Sequence, residues 1–293
     1  NTSELGQNQV IKTSEGYSSV KGLPAGTPLS GAIFAVYDKQ NNVVDKFQTN
    51  ENGIGSSKKL PLGIYTVKEV QAPANYGLNP TVFTADIEFA GQVVKLNVTD
   101  PVITAGVSIK KTGYAQTMNN NIMRWTVSGV RNDSTTSLQS FYWRDTLPTD
   151  AVRLTRLVTG TYSTTQTYKV TFTTNLNSQW RTAYDNLSTA KNYTLDMSSA
   201  ALGLASNEYV TQFMLSFGIV PAGFHQLTNA TVDAQTLYAL TNGYKFTNKA
   251  DVGGLLGGNW VQSIARWTTS IYSHYVPAKP AAPKSPKLPR TGY

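Results

Sequence analysis

Apolar positions alternate with polar ones in short runs along the first hundred residues. Such runs cover Ala32–Tyr37, Val43–Gln48, Tyr65–Val70, Val82–Phe89 and Val93–Val98. Turn-forming clusters separate them: Lys39-Gln-Asn-Asn42, Asn50-Glu-Asn-Gly53, Pro61-Leu-Gly63 and Gly91. A period of two sends successive side chains to opposite faces of a strand, while Gly, Pro and Asn end such runs. Strands of this length and spacing predict a β-sandwich of immunoglobulin-like size over residues 1–100.

The pattern continues from 101 to 276, with strand-like runs at Val107–Thr112, Arg124–Val130, Phe141–Pro148, Tyr209–Phe217 and Tyr244–Asn248. This segment predicts a second, larger sandwich. Two stretches inside it, Ser178–Leu187 and Ser198–Ala205, read instead as short helices, with Asp196 as a cap for the second. Residues 277–293 place proline at 277, 280, 283, 286 and 289. Three-residue spacing matches one turn of polyproline II, an extended spacer of about 3.1 Å per residue. The fold class is therefore all-β: tandem immunoglobulin-like β-sandwiches, the second with short helical insertions, and an extended Pro-rich C-terminal tail.

Composition agrees with this picture and narrows the chemistry. Of the 293 residues, 40% are hydrophobic and only 14% charged, which allows a sizeable core. The net charge is +8, but no clustered Arg/Lys stripe lies outside the tail, so no nucleic acid partner is expected. Lys279, Lys284, Lys287 and Arg290 make the tail itself basic, suited to an anionic surface polymer. The absence of cysteine excludes disulfides, thiolate zinc sites and a cysteine nucleophile. No apolar run is long enough to span a membrane, and no signal peptide is present. A membrane segment is expected only in a precursor that would flank this sequence.

Local motifs are more specific. Pro28-Leu-Ser-Gly-Ala-Ile-Phe34 resembles the opening of SpaA/Cna-B-type domains of Gram-positive pilins and adhesins. Thr49-Asn-Glu-Asn-Gly53 is similar to their turn, and Leu60-Pro-Leu-Gly-Ile-Tyr-Thr-Val-Lys-Glu-Val-Gln-Ala-Pro-Ala-Asn-Tyr76 to their glycine–tyrosine–glutamate signature. Ala74-Asn75 departs from it, because a glycine usually precedes the tyrosine. The resemblance implies an intramolecular isopeptide bond from a lysine on the first strand to an Asn or Asp on the last, assisted by Glu69. A desolvated lysine gives up its proton more easily, and a desolvated carboxyl keeps one to donate, so all three groups must face one dry core. Parity puts Glu69 with Tyr65 and Val67, and Asp100 with Val94, Leu96 and Val98, whereas Asn97 falls on the opposite face. Asp100 is thus the expected target, with water as the leaving group. Lys12 shares a face with Val10 and is the expected nucleophile, and Lys21 remains an alternative. Without the bond, Asp100 would simply open the turn into Pro101.

In the second segment Lys111 follows Val107 and Ile109 on one face, Asp145 follows Phe141 and Trp143, and Asn248 follows Tyr244 and Phe246. An early lysine, a middle aspartate and a late asparagine on inward rows resemble isopeptide-forming Cna-A-like (DUF-eleven-like) domains. The implied roles are Lys111 nucleophile, Asp145 proton shuttle and Asn248 target, with ammonia released. Chance parity is the alternative, with Lys111 reaching out to solvent. Trp180, Tyr184 and Tyr193 could line a glycan site in the 178–224 elaboration, although cover for the core is the commoner use of such aromatics.

The tail contains Leu288-Pro289-Arg290-Thr291-Gly292, one residue before the end. It resembles the LPxTG sorting signal of sortase substrates, which are cut between the Thr and the Gly. No hydrolase, P-loop or dinucleotide motif is present; Gly253-Gly254 and Gly257-Gly258 read as flexible turns, and Asp145 with Asp150 only mimics a glycosidase pair. No cofactor and no metal are expected, and no enzyme beyond a single self-crosslinking turnover per domain. The expected protein is extracellular, covalently attached to the cell wall or pilus, and an ancillary or basal pilin subunit; no YPK-type lysine motif supports a shaft role. Its partners are sortase and peptidoglycan or pilus subunits. The rival expectation is a free-standing adhesin for host matrix or glycan.

Overall fold

The computed structural model describes residues 4–118, 122–272 and 280–282. Every regular element among them is a β-strand, so the all-β reading holds. No helix among them is long and apolar enough to cross a membrane. Most of the sorting-signal tail, Leu288, Pro289, Arg290, Thr291 and Gly292 included, lies outside the described residues; of the stalk only Pro280–Ala282 is described, and it is exposed.

Two sheets enclose the smaller core. In one, the first strand, Leu5–Ser14, lies between Val93–Asp100, to which it runs parallel, and the short antiparallel strands Ile54–Ser56 and Leu60–Pro61. The other has the order Val43–Gln48, Ile33–Tyr37, Gly63–Gln71, Phe83–Ile87, all antiparallel. Their inward rows meet in a core of Val10, Phe34, Val36, Val67, Ile87 and Val98. The period-two pattern is complete on the first strand, where Gly6, Asn8, Val10, Lys12 and Ser14 point in.

The larger core lies between a seven-stranded and a five-stranded sheet. The seven-stranded order is Gln116–Met118, Asn259–Tyr272, Lys245–Leu256, Leu138–Thr146, Val210–Val220, Thr167–Thr174, Arg181–Ser188. The five-stranded order is Thr194–Asp196, Val152–Val158, Ala230–Thr236, Met123–Asn132, Val107–Gly113. Trp125, Trp143, Phe141, Phe213 and Phe224 fill the space between them. The edge strand Val107–Gly113 packs against the Lys245–Leu256 and Asn259–Tyr272 hairpin, which closes that side of the sandwich.

Two corrections follow. The stretch read as a helix over Ser178–Leu187 is mostly the edge strand Arg181–Ser188, and Ser198–Ala205 is a run of hydrogen-bonded turns. Asp196 does accept the Ser198 amide at 3.0 Å, but it caps a turn that ends at Gly203, whose φ is 68°. Gly253-Gly254 is likewise strand, not turn: both glycines are buried, and a Cβ on either would meet Tyr142 or Leu138 at 2.9 Å. Gly257-Gly258 does form the hairpin turn, with φ of 56° and 81°.

Candidate functional site

Each core holds one buried lysine. Lys12 has a fully buried side chain and lies 2.7 Å from Glu69 Oε2, with Nζ also hydrogen-bonded to Asp100 Oδ1. The three residues come from three strands. Lys12 pairs with Val98 across the parallel ladder, so Asp100, two residues on, shares its face. Glu69 arrives from the opposite sheet, beside Phe34, whose ring centroid is 5.6 Å from Nζ. Asn79 covers the group: its amide donates to Glu69 Oε1 at 3.1 Å, and its side chain donates to Thr99 O at 2.7 Å. Asn97 and Lys21 are both exposed and take no part.

Electrostatics follow from the dryness. Burial pushes the Glu69 carboxyl up to about 7 although Lys12 pulls it down, and burial also raises Asp100. Asp100 Oδ2 is buried with no hydrogen-bond partner. Burial thus favours the protonated form of both carboxyls more than at the surface.

In the larger core Lys111 Nζ is 2.5 Å from Asp145 Oδ2, and both side chains are fully buried. Lys111 comes from the edge of the five-stranded sheet and Asp145 from the centre of the seven-stranded one. Asn248 is on the neighbouring strand and fully buried. It lies close enough to Asp145 to favour its charged form, yet burial dominates and raises the Asp145 carboxyl. Neither polar atom of the Asn248 amide has a hydrogen-bond partner. An unsatisfied buried donor or acceptor costs roughly 1–3 kcal/mol, so a carboxamide held this way is unusual. Trp125, 5.9 Å from Lys111 Nζ, and Phe246, packed edge-on against it at 6.3 Å, exclude water. Lys110 is exposed on the opposite face. Asp150 is exposed in a turn with φ of 57°, which leaves Asp145 no acidic partner of glycosidase type there.

Of the aromatics in the 178–224 region, Tyr184 and Tyr193 pack against the core; Tyr184 donates to Asp196 O at 2.8 Å and Tyr193 accepts from the Ser188 amide at 2.9 Å. They are cover. Asn75, where the resemblance expects glycine, has φ of 68°; asparagine tolerates this left-handed region better than most residues with a Cβ.

Residues 18–102 match the SpaA prealbumin-like fold domain family, so the chain carries such a domain. It is homologous to the trypsin-resistant surface T6 protein of Streptococcus pyogenes serotype M6, 41% identical over 69 residues. That stretch is 24% of this chain and 13% of the relative's length. Among solved structures, the major pilin SpaD of Corynebacterium diphtheriae is similar at 15% identity and a TM-score of 0.33, over 91% of this chain and 65% of that one. The major pilin subunit BcpA of Bacillus cereus is similar at 14% identity and a TM-score of 0.30, over 91% and 69%. Likeness at that level assigns no function.

Proposed function

We propose that this chain is a structural subunit of a Gram-positive surface fibre, anchored by sortase and hardened by two intramolecular isopeptide bonds. The observation that carries the reading is the placement of a lysine against a carboxyl in each dry core, with both groups drawn from strands far apart in sequence. Homology to a streptococcal surface protein supports the setting.

In the smaller core the free amine of Lys12 attacks Cγ of Asp100. The C–O bond breaks, Glu69 carries a proton from nitrogen to the departing oxygen, and water leaves. In the larger core Lys111 attacks Cγ of Asn248; the C–N bond breaks, Asp145 moves the proton to the leaving nitrogen, and ammonia departs. Each product is a secondary amide, which removes a buried charge. A bond between Lys12 and Asp100 would carry tension past the hydrogen-bonded ladder of the two parallel strands. Cutting between Thr291 and Gly292 by sortase would join the chain to peptidoglycan or to another pilus subunit.

Intact-protein mass spectrometry tests the bonds directly. Loss of about 35 Da from the sequence mass is expected for one water and one ammonia. An unshifted mass overturns the crosslinking mechanism and leaves a plain β-sandwich surface protein. Incubation with sortase and a glycine-based amine tests the anchor: the acceptor should appear on Thr291, and an uncut chain would remove that part of the proposal.

A further inference from the structure

The outer face of the seven-stranded sheet, opposite the side that carries Asp145, holds a cleft of about 750 Å³. A regular sheet face offers no cavity, and this one arises where the ladder breaks. The Leu138–Thr146 strand slips register against both neighbours between Leu138 and Tyr142. Ser140 there has φ of 49°, and Gly218, the partner of Phe141, has φ of 72°. On the far side Thr167–Thr174 slips register against the edge strand, where Asn186 has φ of 51°. Left-handed backbone is unfavourable for a residue with a Cβ such as Ser140, and bulges re-aim side chains beside sites, so strain and broken pairing together on this cleft point to use.

The lining is tied together by hydrogen bonds and, with Asp251 behind it, carries no net charge. Tyr142 donates its hydroxyl to Asp251 Oδ2 at 2.9 Å and accepts from Gln262 Nε2 at 3.0 Å. Arg144 grips the same carboxylate through Nε and Nη2 at 2.9 and 2.8 Å. Asp251, behind the lining, neutralises Arg144, and the lining also carries one further charge of each sign, Lys169 and Asp185. Among the described residues, Arg144 Nη1 and Gln262 Oε1 have no partner in this network, which leaves a fixed donor and a fixed acceptor. Trp260 closes one side: it meets the Tyr142 ring edge-on at 5.8 Å and stays 53% exposed.

We propose that this cleft binds a neutral oligosaccharide. The electron-rich face of an indole attracts the C–H groups on one side of a pyranose ring, and preset donors and acceptors match its hydroxyls. An anionic polymer would need an excess of positive charge, which the balanced lining does not offer. The site goes beyond the crosslinked-subunit reading and does not depend on it, since Tyr142 and Arg144 face away from Lys111 and Asn248.

The test is a screen of the full chain against an array of neutral oligosaccharides, followed by calorimetric titration of the strongest one. Trp260→Ala should weaken binding at least ten-fold and Gln262→Ala several-fold. Tyr17→Ala, exposed on the smaller sandwich and outside the cleft, should leave it unchanged. Thermal unfolding of each variant shows whether the fold persists. The proposal is overturned if no neutral saccharide binds, if a folded Trp260→Ala variant binds as well as the parent, or if the preferred ligand is acidic and is released by salt.

Discussion

Lys12 lies between two carboxyls, whereas Lys111 has one carboxyl and one nearby carboxamide. Both lysines have fully buried side chains and an aromatic ring within 6 Å of Nζ. The difference lies in which group holds a proton and which one leaves. At Lys12 the target and the shuttle are the same kind of group, so geometry alone separates them: Asp100 shares the sheet of Lys12, and Glu69 reaches across from the other. At Lys111 chemistry would separate them in the proposed reaction, with Asp145 carrying the proton and Asn248 contributing the leaving amine. On the proposed mechanism each lysine uses one titrating partner, and the identity of the other decides the by-product.

The largest effect should come from Asp145→Ala, which removes the only carboxyl that Lys111 touches among the described residues. Breaking a buried pair costs roughly 3–5 kcal/mol through the stranded charge. Loss of a covalent tie across a long loop removes about a further 4–5 kcal/mol if it acts on chain entropy as a disulfide does. Mass spectrometry should show ammonia retained, and calorimetry a separate early transition from the larger sandwich. Retained ammonia loss in this variant would show that Asp145 is no shuttle and that the two sites differ more deeply than proposed.

A smaller, pH-dependent effect sharpens the contrast. Lys12→Met and Lys111→Met both prevent crosslinking and take away the cation that opposes burial. The carboxyls left behind favour their protonated forms in the fold, so folding takes up protons. Stability is then greatest below the ordinary carboxyl range and declines as pH rises through about 7, where Glu69 lies with Lys12 still present. The slope is about 1.4 kcal/mol per pH unit for each proton. Two carboxyls remain in Lys12→Met and one in Lys111→Met, so the first should show the steeper fall in melting temperature between about pH 4 and pH 8. Equal slopes would mean that Glu69 and Asp100 share a single proton.

The smallest effect is the most discriminating. Asp100→Asn should still crosslink, now releasing ammonia, and its final mass should equal that of the parent because the product amide is the same. The stability should stay within about 0.5 kcal/mol of the parent's. Failure to crosslink would mean that the smaller core accepts only a carboxylic acid.

How much of this was legible in the sequence depends on how far each signal reaches. Parity along a strand is local and reads out faces: it put Glu69, Asp100, Lys111, Asp145 and Asn248 on inward rows, and all five are buried. It could not say that Lys12 and Lys21 differ, because the turn that exposes Lys21 is fixed by the bonds of Ser18 with its neighbours. The 178–187 segment misled because an edge strand is covered on one side only. Alternation would still be expected on the covered face, but the register slips against Thr167–Thr174 and interrupts it. The Ala-rich 198–205 segment has helical composition but only one turn's length before Gly203. The outer cleft went unnoticed altogether, since it is made by breaks in strand pairing, and pairing partners do not appear in a single window. Its one local trace is the row Trp260, Gln262 and Ile264, large side chains alternating on a solvent-facing side.

Parallel pairing of Leu5–Ser14 with Val93–Asp100 also sets an order of events. Lys12 and Asp100 are 88 residues apart, and they meet only through the last strand of their sandwich to be made. Until that strand docks, Lys12 has no Asp100 beside it and the proposed bond cannot form. The proposed chemistry would therefore act as a checkpoint: it would wait for the most non-local contact of the sheet and then seal it. A chain that misfolds earlier keeps its free lysine, and its unreduced mass records the failure.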